Sequence, residues 1–353
     1  VRTPGMRRVL AATFGGLLAL GLTACGSAEG DPAEAGPTAS SDKKITVYSG
    51  RSESLVGPVL EDFRKASGVT VDVRYGDTAQ MAAQLLEEGG RSPADVFLAQ
   101  DAGALGAVTA KGLFAPLPAE VLEKVPAEYR AKGGEWVGVT GRARVLVHNA
   151  DQVPVADLPK SVFELTEPRW KGRVGVAPTN GSFQAFITAM RVEHGEEKTE
   201  EFLAGLKAND AQIREGNAPI VADVDAGRLA TGLVNHYYIY ELAKEKGTPV
   251  DALKAKNHFF PNGDIGSLVN VSGVGVLDRY AGDPDVRAFV DYLLGREAQT
   301  YFAEETYEYP LAGGVASAPG LPALSSLNAP DIDLGDLADL ETTVKMIKES
   351  GLV

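Results

Sequence analysis

Apolar strand-like runs alternate with helix-spaced runs along this chain, and that alternation limits the folds open to it more than any other feature. Ile45-Thr46-Val47-Tyr48 alternates like a strand, and Ser49-Gly50-Arg51-Ser52 turns it. Leu55, Val56, Val59, Leu60 and Phe63 then recur at helical spacing up to Gly68. Val69, Val71 and Val73 form a second strand, and a helix from about Thr78 carries Met81, Leu85 and Leu86. Ala94-Asp95-Val96-Phe97-Leu98 suits a strand buried on both faces, and Gln100-Asp101 open the next helix. A β-α-β-α-β-α order of this kind predicts an α/β protein with a mostly parallel sheet covered by helices.

The rhythm resumes further on. Trp136–Asn149 reads as one or two long strands, long enough to pass from one lobe to another. Arg173–Ala177 is a strand, and Pro178–Ser182 starts a helix through Phe186, Ile187 and Met190. Ile220–Ala226 reads as a short helix, and Leu229–Asn235 as a strand that carries Tyr237 and Tyr238 at its end, before a helix to Lys246. Leu268–Leu277 is strand-like again and could return the chain to the first lobe; 284–294, 297–303 and 335–350 read as helices.

Two α/β lobes joined by two crossovers leave a cleft. In open α/β sheets ligands sit beyond the carboxyl ends of strands. Four polar segments occupy that place: Ser49–Ser52, Gln100-Asp101, Asn180–Ser182 and Asn235–Tyr238. The expected parts are a leader (1–24), a tether (25–43), a first lobe (44–142), a second lobe (143–267), a return to the first lobe (268–318), and a C-terminal helical segment packing on the second lobe (319–353).

The chain of 353 residues is 44% hydrophobic, ample for real cores, and its net charge of −14 argues against duplex nucleic acid as a partner. Arg2, Arg7 and Arg8 precede an apolar run, Val9–Ala24, which is short for a membrane-spanning helix. The run ends Leu22-Thr23-Ala24-Cys25-Gly26, the form of a bacterial lipobox, and Cys25 is the only cysteine in the chain. The expectation is a signal peptide cleaved before Cys25, lipidation of its sulfur, a tether rich in Ala, Glu, Gly, Pro and Ser, and a body held at the extracytoplasmic face of the cell membrane.

Each cleft segment has two readings. The adjacent phenols of Tyr237 and Tyr238 could pack a cleft wall, or could lose their protons to a hard cation such as Fe(III). Asn180-Gly181-Ser182 could cap a helix, or could hold an anion on free backbone N–H groups. Arg142 and Arg144 share one strand face and suit carboxylate, phosphate or carbonate, or a salt bridge. Gln100 and Asp101 could supply oxygen ligands or cap a helix. His148, His194, His236 and His258 lack metal-site spacing, and no cysteine supports them, so zinc is not expected; His236 reads as structural. No phosphate loop and no Gly-x-Ser-x-Gly elbow is present.

With these residues in view the chain resembles the ferric-ion-binding proteins of bacterial ABC importers, of the periplasmic-binding-protein type II class. The resemblance runs from Ile45 to about Leu352 on ITVYSGR (Ile45–Arg51), RSPADVF (Arg91–Phe97), GLFAPLP (Gly112–Pro118), GRARV (Gly141–Val145), APTNGSF (Ala177–Phe183), LVNHYY (Leu233–Tyr238) and EYPL (Glu308–Leu311). It implies a two-lobed, non-enzymatic binding protein, monomeric, that captures Fe(III) by lobe closure and delivers it to a permease. It implies Tyr237 and Tyr238 as tyrosinate ligands. It further implies Asn180, Gly181, Ser182, Asn217, Asn235 and Arg142 around a synergistic anion, phosphate or carbonate. At two positions this chain departs: the family's histidine ligand falls at Ser52 and its glutamate ligand at Gln100, with Asp101 one place on as a substitute. Those departures keep two alternatives open: the same fold binding a thiamine-, polyamine- or phosphonate-type ligand, and an exported hydrolase or matrix-interaction lipoprotein.

Overall fold

The computed structural model describes residues 43–353; the leader, Cys25 and the tether up to residue 42 lie outside the described residues. The strands are β1 (Lys44–Ser49), β2 (Thr70–Tyr75), β3 (Val96–Ala99), β4 (Trp136–Asn149), β5 (Val174–Val176), β6 (Gln212–Ile213), β7 (Thr231–Asn235), β8 (Ala255–His258), β9 (Val269–Val276) and β10 (Tyr309–Pro310). The helices are α1 (Glu53–Ser67), α2 (Thr78–Glu88), α3 (Ala102–Thr109), α4 (Ala119–Leu122), α5 (Gly181–His194), α6 (Glu196–Ala208), α7 (Asn217–Asp225), α8 (Tyr238–Lys246), α9 (Pro284–Leu293), α10 (Arg296–Glu305) and α11 (Leu340–Glu349).

The first helix shows how sequence sets local structure. Val56, Val59, Leu60 and Phe63 bury one stripe of α1. Gly68 ends it in the left-handed region (φ 72°) and returns its N–H to Arg64 O at 2.9 Å. Each such buried side chain contributes roughly 1.5–3 kcal/mol.

The strands form one hydrogen-bonded path, β2-β1-β3-β9-β4-β7-β5-β6, with β10 and β8 also paired to β4. The β1 pairs with β2 and β3 are parallel, as are the β5 pairs with β6 and β7. Between these parallel ends, β9 and β4 run antiparallel to their neighbours. The sheet is therefore α/β and mixed, its parallel parts built by helical crossovers.

The 14 residues of β4 are all buried and form one strand. Trp136–Ala143 pairs with β9, and Arg144–His148 pairs with β7. Strand β4 thus leaves one half of the sheet and enters the other between Ala143 and Arg144. Packing is tight in the second half: a Cβ on Gly232 of β7 would meet Ile220 Cγ2 of α7 at 2.2 Å.

The C-terminal segment touches both halves. Helix α11 lies on α5, where Thr188 and Thr343 hydroxyls bond at 2.8 Å and Arg191 pairs with Asp339 at 2.9 Å. The 3-10 turn Leu334–Ala338 presses on α3, so closely that a Cβ on Gly103 would lie 2.5 Å from Leu337 O. The 335–350 stretch is thus broken between two elements rather than one helix, because Asp339 turns the chain and caps α11 through Thr342 N–H.

Candidate functional site

Strand β7 is buried between β4 and β5 and ends at Asn235; His236 follows, and Tyr237 stands at the N-cap of α8. The tyrosines therefore sit at a helix start rather than along a strand. The difference matters, because successive strand side chains point to opposite faces. The turn into α8 instead brings the rings together, stacked at 4.5 Å between centroids and 27° between planes. Tyr237 is 3% exposed and Tyr238 is half-buried. Burial first, then the Tyr237 phenol beside it, holds the Tyr238 phenol well above its ordinary range.

His236 is fully buried and fully used. Ala143 N–H donates to Nδ1 at 3.1 Å, so Nε2 carries the proton and donates to Tyr307 O at 2.8 Å. Burial lowers its pKa to about 4, and the ring stays neutral with no lone pair free for a metal.

Arg144 is the hub of the polar cluster. Its Nη1 donates to Ser182 Oγ (3.1 Å), Asn235 Oδ1 (3.1 Å) and, at the limit, Asn217 Oδ1 (3.5 Å). Asn180 Oδ1 caps α5 by accepting from Ser182 N–H at 3.0 Å, and also accepts from Ser182 Oγ and Asn217 Nδ2. Four predicted residues (Asn180, Ser182, Asn217 and Asn235) thus converge, with Gly181 opening α5 beside them. The convergence is on Arg144 rather than on Arg142. Among the described residues Arg144 Nε and Nη2 have no hydrogen-bond partner, although the residue is 3% exposed. That unpartnered edge has the bidentate geometry that carboxylate, phosphate and carbonate oxygens fit. Burial lowers the Arg144 pKa to about 9, against the pull of Tyr238 and Tyr237, so the guanidinium is charged at neutral pH.

Arg142 faces a different partner without hydrogen-bonding it, and among the described residues its Nε and Nη1 are buried and unpartnered like the Arg144 edge. Its Nε lies 3.8 Å from Glu308 Oε1, and Arg51 Nη2 donates to Glu308 Oε2 at 2.7 Å. All three side chains are buried. Burial works against the Arg51 charge, but Glu308, Tyr237 and Tyr238 outweigh it and keep its pKa above the ordinary value. Glu241, on the first turn of α8, has its carboxyl pushed up to about 7 by burial and then by Glu308, with Arg51 opposing.

The remaining predicted residues stand apart. Ser52 is exposed, and its Oγ is 3.2 Å from Ser54 Oγ, while its neighbour Arg51 turns inward. Asp101 Oδ1 caps α3 through Ala104 N–H at 2.9 Å, and burial raises its pKa. Gln100 and Asp101 line a cavity of about 360 Å³ together with Asn180 and Gly181. Gln100 Nε2 lies 4.0 Å from where a Gly181 Cβ would stand, so these two segments face each other closely. Tyr237 and Tyr238 are not among that cavity's lining residues. Among the described residues no three His, Cys, Asp or Glu side chains gather as a metal cage.

Residues 91–334 match the family model described as "Bacterial extracellular solute-binding protein". The chain belongs to the bacterial extracellular solute-binding proteins. Within that family it is 34% identical over 316 residues to the "Fe(3+)-binding periplasmic protein" of Serratia marcescens, covering 89% of this chain and 92% of the relative. It is 32% identical to the "Major ferric iron-binding protein" of Neisseria meningitidis serogroup B, covering 87% and 93%. Among solved solute-binding structures, iron-bound HitA from Pseudomonas aeruginosa superposes with a TM-score of 0.81 at 34% identity, covering 87% of this chain and 99% of that one. The Trichodesmium protein (IdiA, FutA) in complex with iron and citrate gives 0.74 at 26% identity, covering 88% and 100%. These matches place the α/β architecture in the type II periplasmic-binding-protein class, and the family is extracytoplasmic.

Proposed function

We propose that this protein captures Fe(III) outside the cytoplasmic membrane, together with a small anion, for delivery to an ABC permease. It is a binding protein, not an enzyme. The observation that carries the reading is the stacked Tyr237–Tyr238 pair beside the unpartnered edge of Arg144. Kinship with proteins named for ferric iron supports it.

The chemistry follows from charge. A buried phenol with a raised pKa keeps its proton when no metal is near. A trivalent hard cation bound by both phenols displaces a proton from each and gains two anionic oxygens. Arg144, Ser182, Asn217 and Asn235 would hold the anion that fills further coordination positions, phosphate and carbonate each presenting two oxygens to a bidentate fork. Gln100 and Asp101, which face Asn180 and Gly181 across a shared cavity, are candidates to complete the shell from the other side. Lobe closure would occur about β4, where it changes partners, and about the entry to β9. Cys25 would tether the body through lipid.

The protein as purified tests this reading. Elemental analysis should find iron, and the absorption spectrum should carry a visible tyrosinate-to-iron band that disappears on chelation. A protein that takes up no Fe(III) in phosphate or bicarbonate buffer, and is stabilised instead by an organic ligand, defeats it. The lipid anchor is checked separately by mass spectrometry of residue 25.

A further inference from the structure

One short segment reaches both sides of the tyrosine pair. Tyr307 adopts φ 57°, left-handed backbone that costs a bulky residue energy. Its ring stacks on Tyr240 at 5.0 Å and 22°, and its carbonyl accepts the Nε2–H of His236 at 2.8 Å. Tyr309 lays its ring against the same imidazole at 4.6 Å. His236 directly precedes Tyr237, and Tyr240 lies two residues past Tyr238. Between the two aromatic residues, Glu308 takes Arg51 at 2.7 Å, and Thr306 Oγ1 donates to Glu308 Oε2 at 3.1 Å.

We infer that Thr306–Tyr309 is a positioning strap that fixes the orientation of the Tyr237 and Tyr238 phenols from behind while it anchors Arg51 in front. The His236 ring is held at both nitrogens and on one face, so the backbone entering Tyr237 cannot rotate freely. Tyr240, on the turn of α8 that follows, is pinned by Tyr307. The left-handed Tyr307 backbone makes this possible, since it turns the ring toward α8 and the next side chain toward Arg51. Tyr307 and His236 are thus positioning residues that would act on a bound metal through the phenols, while Glu308 positions Arg51. The metal readout of the inference rests on the ferric reading, so its test includes one readout without metal.

The test uses Tyr307→Asn and Tyr307→Phe. Asparagine tolerates the left-handed backbone but has no ring to stack, whereas phenylalanine keeps the ring. The Asn variant should lose Fe(III) affinity by roughly 10- to 100-fold and shift its tyrosinate-to-iron band. Its iron-free form should still melt cooperatively, with faster amide hydrogen exchange at His236 and Tyr240, whose N–H groups bond Ala143 O and Tyr237 O. The Phe variant should match wild type in all three. Wild-type affinity, band and exchange in the Asn variant would overturn the strap. If wild type shows no iron band, the ferric reading fails, and exchange alone decides: a change confined to the Asn variant supports the strap, and no change overturns it.

Discussion

Arg144 and Asn235 meet twice: as opposed residues in the β4–β7 ladder, and through Arg144 Nη1 donating to Asn235 Oδ1 at 3.1 Å. The ladder fixes the backbone positions, and the side-chain bond then holds the guanidinium with its Nε and Nη2 edge free. Asn235→Leu removes that acceptor from a buried charged donor and should cost roughly 1.5–3 kcal/mol of stability. Urea unfolding of the iron-free variant measures it. The same variant should need more phosphate to reach half-maximal stabilisation.

Arg144→Lys keeps a charge but loses the fork. Phosphate or bicarbonate should then no longer enhance Fe(III) uptake, while the fold persists. Isothermal titration with and without the anion reads this directly; an anion effect as large as wild type would assign the anion elsewhere.

Fe(III) binding should release protons. If both phenols are protonated before binding and ionised after it, two protons leave per iron, and affinity should fall by about 100-fold for each unit of pH lowered. Potentiometric titration at two pH values counts the protons. A count near zero would mean that the tyrosines keep theirs.

Acid should weaken the iron-free fold through two other histidines. His148 Nδ1 donates to Val153 O and His258 Nε2 to Pro159 O, and burial lowers the pKa of both. Each therefore binds its proton more readily in the unfolded chain, whose value is about 6.5. Their contribution is complete above that pH and is lost as pH falls below it toward the folded pKa. His148→Gln with His258→Gln should flatten the fall in denaturation midpoint below pH about 6.5.

Gly232→Ala tests the packing behind the tyrosine strand. The added methyl would meet Ile220 Cγ2 at 2.2 Å, so α7 must shift. A loss of roughly 1–3 kcal/mol is expected. Since α7 also carries Asn217, anion dependence should weaken with it.

Much of this was legible in the sequence because it is local. The strand and helix order followed from periodicity, and Asn180 and Asp101 cap the helices their positions suggested. The paired tyrosines were legible as chemistry but not as geometry: apolar Leu233-Val234 reads as strand, and nothing local marks the turn at His236 that stacks the rings. Arg142 and Arg144 could not be told apart, since period-two alternation places both on one face. What separates them is the register of β4, which gives Arg144 to Asn235 and leaves Arg142 near Glu308. Glu308 pairs with Arg51 across 257 residues, a contact with no local sequence signal. The polar four-residue strand β8 and the two-residue β10 are too short for periodicity to reveal.

The most direct measurement is titration of the iron-free protein with ferric citrate in phosphate buffer, followed by visible absorption, for wild type, Tyr237→Phe and Tyr238→Phe. Wild type should develop a tyrosinate-to-iron band that saturates at one iron per chain, and each single variant should show a weaker, shifted band with sharply lower affinity. Equal bands and affinities in all three proteins, or no band in wild type despite bound iron, would contradict ligation by the tyrosine pair.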